Sequence, residues 1–229
     1  MGGNHMSRRF EDRKQAGTLL AKKLSGFAGL PDAVVIALPR GGMPVAYEVA
    51  GALDLPLDIL VVRKLGAPGH AEFAIGSLAS GGICVVEEDI VRSLRVPAAQ
   101  LSEIIEREKA ELERRERLYR GGRPPLDVFG KTVIIVDDGL ATGSTMKAAV
   151  QAIKKMDPKA IVVAVPVCAP STCEELERDV DVWCVCVYAP EPFYAVGLWY
   201  DKFDQTSDEE VELLLAKADV GGVSARHYT

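Results

Sequence analysis

The residue types best suited to chemistry sit close together at Asp137-Asp138 and Thr142-Gly-Ser-Thr145. The apolar run Lys131-Thr-Val-Ile-Ile-Val136 delivers the two carboxylates at its end, and a helical pattern begins at about Ser144. The turn between them contains Gly139, Ala141, Thr142 and Gly143. Glycine lets a backbone come close to an anion. A helix N-terminus adds unpaired N–H donors and the positive end of a dipole. The hydroxyls of Thr142, Ser144 and Thr145 add further donors, and Asp137 and Asp138 are acceptors suited to sugar hydroxyls. A phosphorylated sugar has this polarity, phosphate at one end and diol at the other. An ordinary strand, loop and capped helix explains the glycines and Thr142, but not two charges at the end of a buried strand.

The rest of the chain supplies elements to position such a site. Ala33–Leu38 is a short apolar strand that runs into Pro39-Arg-Gly-Gly42 and then a helical pattern through Val45, Val49 and Leu53. Leu57–Val62 is a second buried strand and ends at Arg63-Lys64. Further strands are expected at Ile83–Val86, Ala160–Val167 and Val180–Tyr188, and a first helix over Phe10–Phe27. Gly66–Gly82 is rich in Gly, Ala and Ser and reads as a mobile loop with room for a hairpin; His70 in it is expected to face solvent. Ala98–Tyr119 is the longest helix, with a stripe of Leu101, Ile105, Leu112 and Tyr119 and a solvated face of Glu and Arg in i,i+4 pairs. Apolar strands alternating with helices predict an α/β fold, a parallel sheet buried on both faces. Right-handed crossovers then bring the loops after several strands to one edge.

Bulk properties limit the alternatives. The net charge of −6 argues against a nucleic-acid partner, and no apolar run approaches the ~20 residues of a membrane span. The five cysteines, Cys84, Cys168, Cys173, Cys184 and Cys186, form no C-x-x-C pair. They read as buried free thiols in a reducing, cytoplasmic compartment, too few in ligands for zinc. Residues 1–5 read as a cloning remnant, leaving one domain over 7–229.

The segment Ile134-Ile-Val-Asp-Asp138 with Thr142-Gly-Ser-Thr145 resembles the signature of type I phosphoribosyltransferases, which bind 5-phosphoribosyl-1-pyrophosphate (PRPP). The resemblance covers about residues 30–190. It implies the fold of that family, with a small hood from about 188–205 and the N-terminal helix. It implies that Asp137 and Asp138 hold the ribose hydroxyls and that Gly139 and Ala141–Thr145 hold the 5-phosphate. Arg40, Gly41 and Gly42 fall where the family has its pyrophosphate loop, and Arg63-Lys64 where it has a basic contact to pyrophosphate. Asp137, Asp138, Arg63 and Lys64 are then the catalytic candidates. Mg²⁺ would be bound mainly through PRPP, with Asp137 and Asp138 reaching it through water. Tyr194, Val196 and Asp201 match the place of an acceptor pocket, although the aromatic residues there would equally cover the end of the core. The purine-specific members carry a lysine before the hood, and Tyr188-Ala-Pro190 has none. The resemblance thus implies transfer to a nitrogenous acceptor in a homodimer. A non-catalytic PRPP-sensing module on the same fold is the alternative.

Overall fold

The computed structural model describes residues 9–178 and 181–220. Strand β1 (Ala33–Ala37) is buried at every position, as is β6 (Thr132–Val136). Side chains alternate across a strand, so each apolar run must feed two cores. Val35, Ala37, Ile134 and Val136 pack on one side with Val45, Val49 and Leu53. Val34, Ile36, Val133 and Ile135 pack on the other with Met146, Ala149 and Ile153. The expected doubly covered sheet is therefore present.

The central sheet is parallel, with order β2 (Leu57–Ile59), β1, β6, β7 (Ala160–Val167), β8 (Val182–Tyr188). The chain leaves β1 through α2 (Gly42–Leu53) toward β2, and later resumes on the other side of β1 at β6. The order reverses between β1 and β6. In open α/β sheets the crevice beyond the strand ends at that point is the usual ligand site. Ala37 pairs with Val136, so Leu38–Gly42 and Asp137–Gly143 emerge side by side.

Several expectations are corrected. Gly66–Gly82 does contain the hairpin it had room for, but it is not otherwise a loop: it is most of a three-stranded antiparallel sheet of β3 (Val62–Ala67), β4 (His70–Ala79) and β5 (Ile83–Val86). Its small residues read as breakers, yet Leu65, Ile75 and Leu78 anchor it in the core. Val62 belongs to this sheet, which shortens β2. The first helix, α1 (Arg13–Lys23), starts three residues after Phe10, where the Asp12 carboxylate accepts from the Gln15 N–H at 2.8 Å. The long helix, α4 (Ala98–Arg120), buries Ile104, Glu108, Leu112 and Tyr119, while Leu101 and Ile105 are only partly covered. Its charged face is not wholly solvated. Arg120 sends two nitrogens to the carboxylate of buried Asp58 at 2.7 and 3.0 Å, tying the end of α4 to β2.

Cys173 and Cys184 are joined in a disulfide, which corrects the reading of five free thiols; Cys84, Cys168 and Cys186 are free and only Cys168 is fully buried. Between β5 and α4 lies the short α3 (Glu88–Ser93); α5 (Ser144–Lys154), α6 (Pro170–Glu177) and α7 (Asp208–Val220) complete the described α-helices. No described helix is long and apolar enough to cross a membrane. The proposed remnant, residues 1–5, lies outside the described residues.

Candidate functional site

The acidic pair sits directly beyond β6. The Asp137 carboxylate accepts the Asp138 N–H at 2.9 Å, which closes a tight turn at the strand end. The chain is then pinned to β7: Leu140 N–H donates to Val167 and Ala169 N–H donates to Leu140. Gly143 adopts a left-handed conformation and caps α5, whose N-terminus carries Ser144 and Thr145. Thr172 on α6 donates its hydroxyl to the Ala141 carbonyl at 2.6 Å, bracing the loop from behind. Thr142, at the loop's outer side, is exposed.

The loop after β1 closes against this pair. A Cβ on Gly41 would fall 2.2 Å from an Asp138 carboxylate oxygen, and one on Gly42 would fall 2.6 Å from the Val136 carbonyl. Only glycine permits that approach. The peptide between Pro39 and Arg40 is cis. Arg40 itself points toward α7, 3.7 Å from the Asp208 carboxylate.

The electrostatics are unbalanced. Burial, and then the charge of Asp138, push Asp137 well above the usual carboxylate range. Burial also raises Asp138, opposed by the Arg13 guanidinium. Arg13 on α1 donates twice to one Asp138 oxygen, at 2.9 and 2.8 Å, and its guanidinium carbon lies 4.0 Å from the Phe203 ring centre. It also donates to the Asp204 carbonyl. Two carboxylates thus face one cation. An additional hard cation, which favours oxygen ligands, fits this donor set.

Arg13 and Tyr200 are site residues that the sequence pattern does not reveal. The Tyr200 hydroxyl donates to the Asp138 carbonyl at 2.6 Å, and burial drives its own ionisation far upward. Arg13 lies 125 positions from Asp138 in an ordinary helix. Its spacing carries no signal; only the docking of α1 on the sheet brings it in.

The remaining expected residues separate into two groups. Val196 reaches the site, since a Cβ on Gly139 would fall 2.4 Å from its side chain. Tyr194 is 78% exposed and Asp201 pairs with Arg9 at 3.2 Å. Arg63 and Lys64 lie on β3 and line a 430 Å³ cleft with Gly66–Gly69, Arg107 and Glu108. Arg63 donates twice to Glu108 of α4, at 2.6 and 3.0 Å. The structure thus unites Gly41, Gly42, Asp137, Asp138 and the loop through Thr145, and leaves Arg63 paired with Glu108 and Lys64 on the wall of a second cleft.

Comparison with known proteins identifies the family of the chain. Residues 9–195 match the model of the phosphoribosyl transferase domain. A Mycobacterium tuberculosis protein that carries a phosphoribosyl transferase name is 42% identical over 91% of this chain and 47% of its own length. The chain therefore spans about half of that relative. A uracil phosphoribosyltransferase of Staphylococcus epidermidis is 30% identical over 62% of this chain and 69% of its own. Among solved structures, TT1426 of Thermus thermophilus superposes with a TM-score of 0.81 and 41% identity, covering 91% of this chain and 98% of that one. The chain belongs to the phosphoribosyl transferase domain family.

Proposed function

We propose that this chain is an Mg²⁺-dependent transferase that moves the 5-phosphoribosyl group from PRPP to a nitrogenous acceptor. One observation carries the reading: Gly41 and Gly42 lie in contact distance of Asp138 and Asp137 across the β1/β6 crevice. A phosphate cradle at the N-terminus of α5 and a second glycine loop thereby flank one acidic pair. That spacing suits a ribose with a phosphate at each end.

In this reading the α5 N-terminus and the hydroxyls of Thr142, Ser144 and Thr145 take the 5-phosphate. Asp137 and Asp138 accept from the ribose hydroxyls, and the Gly41 N–H takes the diphosphate with Arg40, while the Gly42 N–H holds the loop by donating to the Leu38 carbonyl at 3.1 Å. An acceptor nitrogen attacks C1 of the ribose; the C1–O bond breaks and its electron pair leaves with pyrophosphate. Asp137 and Asp138, once ionised, stabilise positive charge on the ring. Mg²⁺, when bound, would neutralise charge on the diphosphate; PRPP would be its main ligand, and Asp137 and Asp138 are the residues that would help to hold it. Arg63 and Lys64 gather charge on the departing diphosphate if β3 closes over it. Val196 would border the acceptor, with Tyr194 and Asp201 completing the pocket on closure.

The sensor alternative has one observation in its favour, the commitment of Arg63 to Glu108. Both readings require PRPP binding. Calorimetric titration with PRPP and Mg²⁺ tests that: binding is expected in wild type and lost in Asp137→Asn/Asp138→Asn. Equal heats in both proteins would sink the assignment. Pyrophosphate release over a panel of nitrogenous bases then separates enzyme from sensor. Uracil heads the panel because of the staphylococcal relative, and the absent lysine at Tyr188–Pro190 disfavours 6-oxopurines. PRPP binding without release on any acceptor would select the sensor.

A further inference from the structure

Four cysteines converge at the far edge of the sheet, behind the phosphate loop. Cys168 directly follows β7 and bridges to Leu140; Cys173 lies on α6; Cys184 and Cys186 lie on β8. Positions two apart on a strand share a face, so Cys184 and Cys186 both point toward the core side that holds Cys168 and Cys173. The α6 crossover lays Cys173 over them. The Sγ atoms of Cys168, Cys173 and Cys186 all lie within 4.8 Å of one another, with Cys168 and Cys173 at 3.0 Å. The fourth sulfur, of Cys184, is bonded to Cys173.

We propose that, in the reduced chain, Cys168, Cys173, Cys184 and Cys186 form a four-thiolate site for a thiophilic divalent cation of the zinc class. The sequence argues against zinc because the ligands look too few and no cysteines form a C-x-x-C pair. The fold supplies what the spacing lacks, drawing ligands from one strand end, one helix and one neighbouring strand. Zinc takes four thiolates at about 2.3 Å in a tetrahedron, whose sulfurs would then be roughly 3.8 Å apart. That edge fits within the envelope of Cys168, Cys173 and Cys186, and the Cys184 sulfur starts beside Cys173, to which it is bonded. Soft sulfur donors select zinc-like ions over the Mg²⁺ class, which takes oxygen. The site is thus chemically separate from the acidic pair.

The disulfide and the ion exclude each other. Reduction by a dithiol or a phosphine adds two electrons and two protons and gives two thiols. Binding of the cation to the four thiols releases their protons. The ion would join the end of β7, α6 and β8. Thr172, next to Cys173, holds the Ala141 carbonyl of the phosphate loop. The site is placed to stiffen that loop from behind, as a structural metal rather than a reacting one.

The test uses the whole chain, reduced with a phosphine without oxygen and titrated with Co²⁺ and then Zn²⁺. One equivalent of Co²⁺ with a thiolate charge-transfer band and tetrahedral visible bands is expected, bleached by Zn²⁺ and untouched by excess Mg²⁺. The oxidised protein should bind none. Cys168→Ser/Cys186→Ser should lose the band, while Asp137→Asn/Asp138→Asn should keep it. Native mass spectrometry of reduced wild type gives the zinc stoichiometry without any variant. No charge-transfer band in reduced wild type, or a band that survives in Cys168→Ser/Cys186→Ser, overturns the proposal.

Discussion

The acidic half of the site and the basic pair on β3 are held by opposite means. The loops that carry Gly41-Gly42 and Asp137-Asp138 are fixed mainly by backbone, through adjacent buried strands, a closed turn and a backbone contact at Gly42 with no room for a Cβ, while Arg13 holds the Asp138 carboxylate. Arg63 is fixed by its side chain alone, through an ion pair to Glu108 on a helix that another ion pair anchors. Backbone placement is preorganised and costs nothing when a ligand arrives. A side-chain pair can exchange one carboxylate for another anion. The first half reads as a fixed frame and the second as an adjustable wall.

The largest expected effect removes the anchor of that wall. Arg120 and Asp58 are 8% and 3% exposed in their side chains. Breaking a buried pair by deleting one partner costs about 3–5 kcal/mol because a charge is left without compensation. Arg123, 3.7 Å from the same Asp58 oxygen, retains part of it. Arg120→Met is therefore expected to destabilise by about 3 kcal/mol, lowering Tm by roughly 6–12 °C for a domain of this size. PRPP affinity should stay within about twofold at 25 °C, because the frame does not use α4. A Tm change below about 2 °C would sink the claim of an anchored wall.

Gly41→Val attacks the frame instead. The added Cβ would sit 2.2 Å from an Asp138 carboxylate oxygen, so that carboxylate must turn out of its place beside Arg13 or the loop must shift. PRPP affinity should fall by about 100-fold, or about 2.7 kcal/mol, while overpacking costs stability about 1–3 kcal/mol. Calorimetry at matched folded fraction separates the two. Affinity within tenfold of wild type would mean that the close approach is incidental.

These two cases also mark what the sequence could convey. The frame was legible because its chemistry is local: two carboxylates, a glycine turn and a helix start lie within nine residues, Asp137–Thr145. The parallel sheet was legible because β1, β6 and β7 are apolar at nearly every position. Of the antiparallel sheet only β5 and room for a hairpin were legible. β3 and β4 mix Gly and Ala with polar residues, and their burial comes from neighbours rather than from pattern. Arg13 and Tyr200 reach Asp138 across the whole chain, a relation that no local spacing encodes. The cysteines are a similar case, since α6 alone determines that Cys173 meets β8. The stripe of α4 was misjudged because Glu108, a charged residue, takes a buried position in place of an apolar one.

A smaller effect tests the charge state of the frame. The folded protein raises the pKa of Asp137 through burial and the charge of Asp138. A raised carboxylate binds its proton more tightly in the folded state. Its contribution to stability is greatest below the unfolded value of 3.8 and falls as pH rises through the folded value. Asp137→Asn removes that penalty, so Tm near neutral pH should rise, on the order of 2–4 °C, the shift produced by about 1 kcal/mol. The same variant should bind PRPP poorly. In wild type, binding of a cation to the pair should release protons, seen as a dependence of the calorimetric heat on buffer ionisation enthalpy. A lower Tm for Asp137→Asn, or no proton release, would reverse this reading.

The smallest effect is the most direct probe of the adjustable wall. The Arg63 and Glu108 side chains are 29% and 12% exposed, and partly solvated pairs contribute about 0–1 kcal/mol. Glu108→Gln should therefore lower stability by less than about 1 kcal/mol. It should also free Arg63 to turn toward a diphosphate. If Arg63 belongs to the pyrophosphate clamp, affinity for pyrophosphate should rise about two- to fivefold, or ~0.4–1 kcal/mol. The gain should shrink with added salt, because the competing pair is partly exposed. Ribose 5-phosphate, which lacks the diphosphate, should bind equally to both proteins. Pyrophosphate affinity unchanged in Glu108→Gln would place Arg63 outside the clamp, and with it the strongest sequence argument for transfer over sensing.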